Sequence, residues 1–172
     1  MEKIRVGVIG VGRMGKHHCR IYSNLRNVDF VGIFDVDKKA VDDVSQKYYV
    51  PVFDSISELL SEVDAVSITT PTPPHYDLAM RCLDQGIHVL IEKPITESLK
   101  QAEELTKAVE SSDVTFQVGH IERFNPTYCE LKNVLEHMDV LAVNFRRLSP
   151  FQGSNTDVDV VLDLMIHDLD LL

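Results

Sequence analysis

The chain has 172 residues, 44% hydrophobic and 26% charged, which suits one well-buried core or one domain with a small annex. Its formal net charge of −10 argues against a nucleic-acid partner, which needs clustered Lys and Arg, and no segment approaches the ~20 apolar residues of a membrane span. Cys19, Cys82 and Cys129 are scattered and odd in number with no C-x-x-C pair, so they predict neither disulfides nor a metal site and suit a reducing, cytoplasmic setting.

Taken in chain order, the N-terminus shows no cleavable leader pattern and runs directly into alternating strands and helices. Apolar, β-branched runs predict strands over 5–9, 30–34, 65–69, 88–91 and 114–118. Between the first two, Met14, His18, Ile21, Tyr22 and Leu25 share one helical face. Between the last two, Leu99, Ala102, Leu105 and Val109 do the same, with Ser98 and Gln101 spaced as a capping box. Such alternation implies a parallel sheet covered on both faces. The pattern changes at 120–125. Asn125 and Pro126 read as the cap and first turn of a helix, 140–148 as a strand and 158–172 as a final helix.

Gly10, Gly12 and Gly15 fit G-x-G-x-x-G directly after a strand and at the start of a helix. In a dinucleotide site the first glycine permits the tight turn, the second lets backbone approach a pyrophosphate, and the third lets helix and strand pack closely. The helix start then offers unpaired N–H groups to the phosphates. A bare strand-to-helix turn is the competing explanation. Asp35 argues against it, because it lies 20 residues beyond Gly15 at the end of the second strand, where a carboxylate accepts from both ribose hydroxyls. With Asp37 beside it, Asp35 would repel a 2′-phosphate and so favours NAD over NADP, while Lys38 and Lys39 temper that preference.

In a doubly wound sheet the strand ends converge on the ligand. Thr70 and Pro71 would wall the nicotinamide ribose, and Glu92 and Lys93 follow the fourth strand. Lys93 is a candidate donor to a reacting oxygen, with a surface pair to Glu92 as its alternative. Asp163, His167 and Asp170 share one face of the last helix, where the histidine suits a general base; a polar, solvated face is the other reading. D-x-x-x-H offers two metal ligands and no third, so no metal is expected. His17, His18, His75 and His137 read as structural or surface residues.

With these residues in view, the sequence resembles the glucose–fructose oxidoreductase/inositol dehydrogenase (Gfo/Idh/MocA) family. The likeness is carried by "GVIGVGRMGKHH", "TPTPPHYDLAMRCLDQGIHVLIEKPIT" and "VVLDLMIHDLDLL". It implies an N-terminal Rossmann domain, a C-terminal domain with a large open sheet, and NAD-dependent oxidation or reduction of sugar-like alcohols. It carries catalytic roles onto Lys93, Asp163 and His167, and implies a cis Lys93–Pro94 bond. The candidate cofactor contacts are Gly10, Gly12, Arg13, Met14, Gly15, Asp35, Thr70, Pro71, His75, Glu92 and Lys93. "VGHIERFNP" and "FRRLSPF" are similar to members that oxidise the 3-hydroxyl of UDP-N-acetylglucosamine. Two departures stand out. Met165 stands where many members carry a small residue within D-x-G-x-H, and family members are roughly twice as long.

The expectation is therefore an α/β protein. A doubly wound parallel-sheet Rossmann domain occupies 1–122, and an incomplete α+β second domain occupies 123–172. Apolar surface on that second part would invite self-association. A sugar or nucleotide-sugar dehydrogenase is the first functional reading. An NAD-binding module without turnover is the second.

Overall fold

The computed structural model describes residues 3–148 and 159–172. The chain divides into two units, Met1–Gly119 and His120–Leu172. Unit 1 is a five-stranded, wholly parallel sheet in the order β2-β1-β3-β4-β5, built from β1 (Ile4–Ile9), β2 (Val28–Phe34), β3 (Ala65–Ile68), β4 (His88–Ile91) and β5 (Phe116–Val118). The crossovers carry α1 (Arg13–Tyr22), α2 (Lys38–Tyr48), α3 (Ile56–Glu62), α4 (His75–Asp84) and α5 (Leu99–Glu110). Strand order reverses beside β1, so the crevice beyond the carboxyl ends of β1 and β3 is the switch point where ligands bind in such sheets.

Side chains alternate across the strands, and both faces of the sheet are covered. Val8 packs with Val11, Cys19, Ile33 and Val41 on one side; its neighbour Ile9 packs with Leu59, Ile68, Leu78 and Ile91 on the other. That double burial is why these strands read as continuous apolar runs. Helix starts are fixed by short side-chain caps: Asp37 accepts from Lys39 N and Ala40 N, and Ser98 accepts from Gln101 N. Gln101 completes its box differently from expectation, with its Oε1 accepting from the Ser98 hydroxyl.

The inward stripe of α1 also differs from the apolar spacing. Ile21 and Leu25 are exposed, whereas Gly15 and Cys19 are buried with His18 and Tyr22 beside them. The helix turns this way because Gly15 lies against the β1 loop and because His18 and Tyr22 have polar partners beneath them.

Unit 2 contains a 3₁₀ turn (Ile121–Phe124), α6 (Pro126–Leu135) capped by Asn125, a π-helical turn (Val161–Met165) and α7 (Ile166–Asp170). The strand expected over 140–148 is not formed, because no described segment lies alongside to complete its hydrogen bonds. The final helix is a π turn followed by a short α-helix, with Ile166 N–H reaching back to Val161 O. Val158, where that helix was expected to begin, and Ser149, Pro150 and Phe151 of "FRRLSPF" lie outside the described residues. No described helix is long and apolar enough to cross a membrane.

Candidate functional site

The three glycines of the β1–α1 loop have different reasons for lacking a side chain. Gly10 has φ +91°, and a Cβ there would stand 2.7 Å from Thr70 N. A Cβ on Gly15 would run into Gly10 O and come within 2.8 Å of Thr69 Oγ1. Both are required by the chain's own packing. A Cβ on Gly12 meets nothing within 4 Å. Side-chain packing does not need that glycine. An open cradle at the head of α1 fits a pyrophosphate lying against backbone.

Around this loop opens a cavity of about 420 Å³, walled by Ile9, Phe34, Val36, Ile56, Pro71 and Leu78 and edged by Gly10, Gly12, Asp35 and Thr70. Its mostly apolar wall suits a planar heteroaromatic ring. Asp35 is held at the end of β2 by two amides: Val11 N donates to Oδ2 at 2.6 Å and Asp37 N to Oδ1 at 3.0 Å. A carboxylate has about four acceptor positions, so two remain for a diol. Asp37 itself caps α2, and Lys38 and Lys39 begin that helix as exposed residues. Thr70 Oγ1 is buried with no hydrogen-bond partner among the described residues, an unmet polar atom on the cavity wall. Cradle, oriented acid, apolar wall and orphaned hydroxyl together fit a dinucleotide.

Arg13 and Met14 occupy the first two positions of α1, exposed and half-buried respectively. Lys93 is half-buried just beyond β4, and the Lys93–Pro94 peptide is cis. Two candidate cofactor residues are turned inward instead. His75, 1% exposed, has Nδ1 2.9 Å from Pro94 O and Nε2 3.0 Å from Thr70 O. Glu92, 8% exposed, has Oε1 3.1 Å from His18 Nε2. His18 Nδ1 meets Ser67 Oγ at 3.0 Å, and Tyr22 Oη meets the same hydroxyl at 2.6 Å. The spacing of α1 puts His18 and Tyr22 on one face but does not show the polar partners they meet. The one readable signal is Ser67, a hydroxyl within the buried strand "AVSI".

In unit 2, Asp163 lies in the π turn and His167 in α7, both half-buried. Asp170, the third residue of the expected polar face, belongs to a clamp rather than a site. Arg123 holds it in two-pronged fashion, Nε to Oδ2 and Nη2 to Oδ1, both at 2.8 Å. That guanidinium keeps the Asp170 carboxyl below the usual carboxylate range, with help from His120 at 3.7 Å. Arg147 Nε donates to Asp168 at 2.8 Å, and Tyr128 Oη donates to Leu171 O at 3.1 Å. Arg123 and Arg147, from "VGHIERFNP" and "FRRLSPF", thus fasten the helix that carries His167. No group of three or more His, Cys, Asp or Glu residues among the described residues could hold a metal.

Residues 4–120 match the family described as oxidoreductase family, NAD-binding Rossmann fold. Over 171 residues the chain is 37% identical to the UDP-N-acetylglucosamine 3-dehydrogenase of Acidithiobacillus ferrooxidans, covering 99% of this chain and 54% of that protein. It is 30% identical to the inositol 2-dehydrogenase of Rubrobacter xylanophilus, covering 98% of the chain and 51% of that protein. A crystal form of the Acidithiobacillus enzyme superposes with TM-score 0.88 at 36% identity, over 99% of this chain and 56% of that one. The scyllo-inositol dehydrogenase of Lactobacillus casei with bound NAD(H) and scyllo-inositol superposes with TM-score 0.75 at 25% identity, over 78% of this chain and 41% of that one. The chain thus spans about half the length of the curated relatives it matches.

Proposed function

Because the chain belongs to the oxidoreductase family with the NAD-binding Rossmann fold, we propose that it serves the NAD-dependent oxidation of a secondary hydroxyl on a sugar or nucleotide sugar. The 3-hydroxyl of UDP-N-acetylglucosamine is the first candidate, since a 37%-identical relative is named for that reaction. The observation that carries the reading is Gly12, a glycine that packing does not require, at the head of a helix beside an oriented acid.

In this reading Gly10, Gly12 and Gly15 shape the pyrophosphate loop, with Arg13 and Met14 beside it. Asp35 accepts from the adenosine ribose and selects NAD over NADP, its negative charge opposing a 2′-phosphate. When bound, the nicotinamide supplies the hydride acceptor. Lys93 donates a hydrogen bond to the reacting oxygen, and His167 takes the hydroxyl proton on a ring nitrogen, with Asp163 orienting the imidazole or a sugar hydroxyl. Thr70 and Pro71 form the wall on the ribose side. We read 1–122 as the cofactor domain and 123–172 as belonging to the substrate and oligomerisation domain. The exposed Leu131, Val134 and Met138 on and after α6 support self-association there. A reducing, cytoplasmic location suits the free thiols, and neither nucleic acid nor membrane is a partner in this account.

A second reading has one observation behind it: no described residue of unit 2 is buried. A chain with a complete cofactor unit and a loosely packed second unit would bind NAD and turn nothing over. Mixing the chain with NAD⁺ and UDP-N-acetylglucosamine, with a carbonyl trap present, separates the two. NADH absorbance above a Lys93→Ala control supports the dehydrogenase. Clean NAD binding without NADH supports the binding module.

A further inference from the structure

The dehydrogenase reading gives Lys93 a reacting oxygen to meet but leaves open what fixes its place, since a lysine side chain has four flexible bonds. The residues on either side of it are both held by histidines, one half-buried (His18) and one buried (His75). Before it, Glu92 is tied by its carboxylate to His18 Nε2, and His18 is tied through Nδ1 to Ser67, which Tyr22 also holds. After it, the Pro94 carbonyl is 2.9 Å from His75 Nδ1, while His75 Nε2 reaches Thr70 O on the cavity wall. Neither histidine lines the cavity. Each instead links separate parts of the fold: His18 joins α1 to β3 and to the residue after β4, and His75, at the start of α4, reaches the segment after β3 and the segment after β4.

We infer that His18 and His75 are positioning residues for Lys93, clamping its two neighbours so that its backbone is fixed relative to the glycine loop. The inference rests on the dehydrogenase reading for the use of Lys93, but the clamp itself is testable without turnover. Conservative substitutions separate the two bonds of each ring. A glutamine amide reproduces the reach of Nε2, and an asparagine amide that of Nδ1. His18→Gln therefore keeps the Glu92 bond and His18→Asn loses it; His75→Asn keeps the Pro94 bond and His75→Gln loses it.

The experiment records the ¹H–¹³Cε signal of Lys93 in ¹³C-lysine-labelled full chain, assigned by its disappearance in Lys93→Arg. The inference expects His18→Asn and His75→Gln to move that signal by several times the spread seen for the other lysines. His18→Gln and His75→Asn should leave it in place, as should Leu59→Ala, which loosens the core without touching the clamp. Folded His18→Asn and His75→Gln proteins with an unmoved Lys93 signal would overturn it. So would a movement in Leu59→Ala of equal size, which would mark the histidines as merely structural. An NAD titration of the wild-type chain in the same series reports separately on the dehydrogenase reading; its failure leaves the clamp result standing.

Discussion

Unit 1 and unit 2 are held together by different physics. Unit 1 buries two apolar clusters on opposite faces of one sheet, including residues such as Leu59 and Ile91 that are 0% exposed. Unit 2 has no buried residue among those described, and its short terminal helix is fastened by arginine–aspartate pairs. Burial is non-directional and roughly additive in area, whereas ion pairs at the surface are weak and sensitive to pH and salt. The contrast teaches that the cofactor half carries its own apolar core, while the described part of the segment carrying His167 is held by a handful of polar contacts.

The largest effect should come from the unit 1 core. Leu59→Ala removes a fully buried side chain that packs against Gly7, and should cost about 2–5 kcal/mol in a denaturant melt. Leu164→Ala in unit 2, where the side chain is 45% exposed, should change it by no more than about 0.5 kcal/mol. Equal losses would erase the distinction between the units.

A smaller and local effect should follow from breaking the clamp. Arg123→Ala releases Asp170 and should speed amide exchange across Ile166–Asp170 while unit 1 amides keep their protection. Acid should reproduce this. The folded Asp170 carboxyl lies below its ordinary value of 3.8, so the clamp's contribution is fully present above that value. It should be lost as the pH falls further, through the lower folded value. Exchange in α7 that ignores both the mutation and the acid would remove the ion pair from the account.

The smallest signal is chemical. Burial pushes the Cys19 and Cys82 thiols up to about 12, whereas Cys129 in unit 2 is exposed. A disulfide reagent should consume one thiol quickly at neutral pH and the other two only on unfolding. Fast reaction of all three would show that the unit 1 core opens as readily as unit 2.

The doubly wound sheet was legible because its strands are buried on both faces and its helices carry 3.6-residue spacing. The glycine loop and Asp35 were legible because a dinucleotide imposes fixed intervals on the chain. What escaped the sequence was set by tertiary partners. Of the expected stripe on α1, His18 and Tyr22 turn inward onto Ser67, whereas Ile21 and Leu25 stay exposed. The run 140–148 has strand composition but no described neighbour to pair with. Asp170 looked equivalent to Asp163 by spacing, and the Arg123 contact, 47 residues away, marks it as part of a clamp. Glu92 follows β4 and His75 opens α4, and chain order says nothing about which way either side chain turns.

Gly12 bears on the central claim most directly, because it separates a loop shaped for packing from a loop shaped for a ligand. An NAD titration by calorimetry, run on wild type and Gly12→Ala beside their thermal melts, puts the two explanations against each other. The account predicts unchanged melting, since the added methyl meets nothing within 4 Å. It also predicts NAD affinity at least ~10-fold weaker, equivalent to ~1.4 kcal/mol. Equal affinity in the two proteins, or a wild-type chain that does not bind NAD, would contradict it.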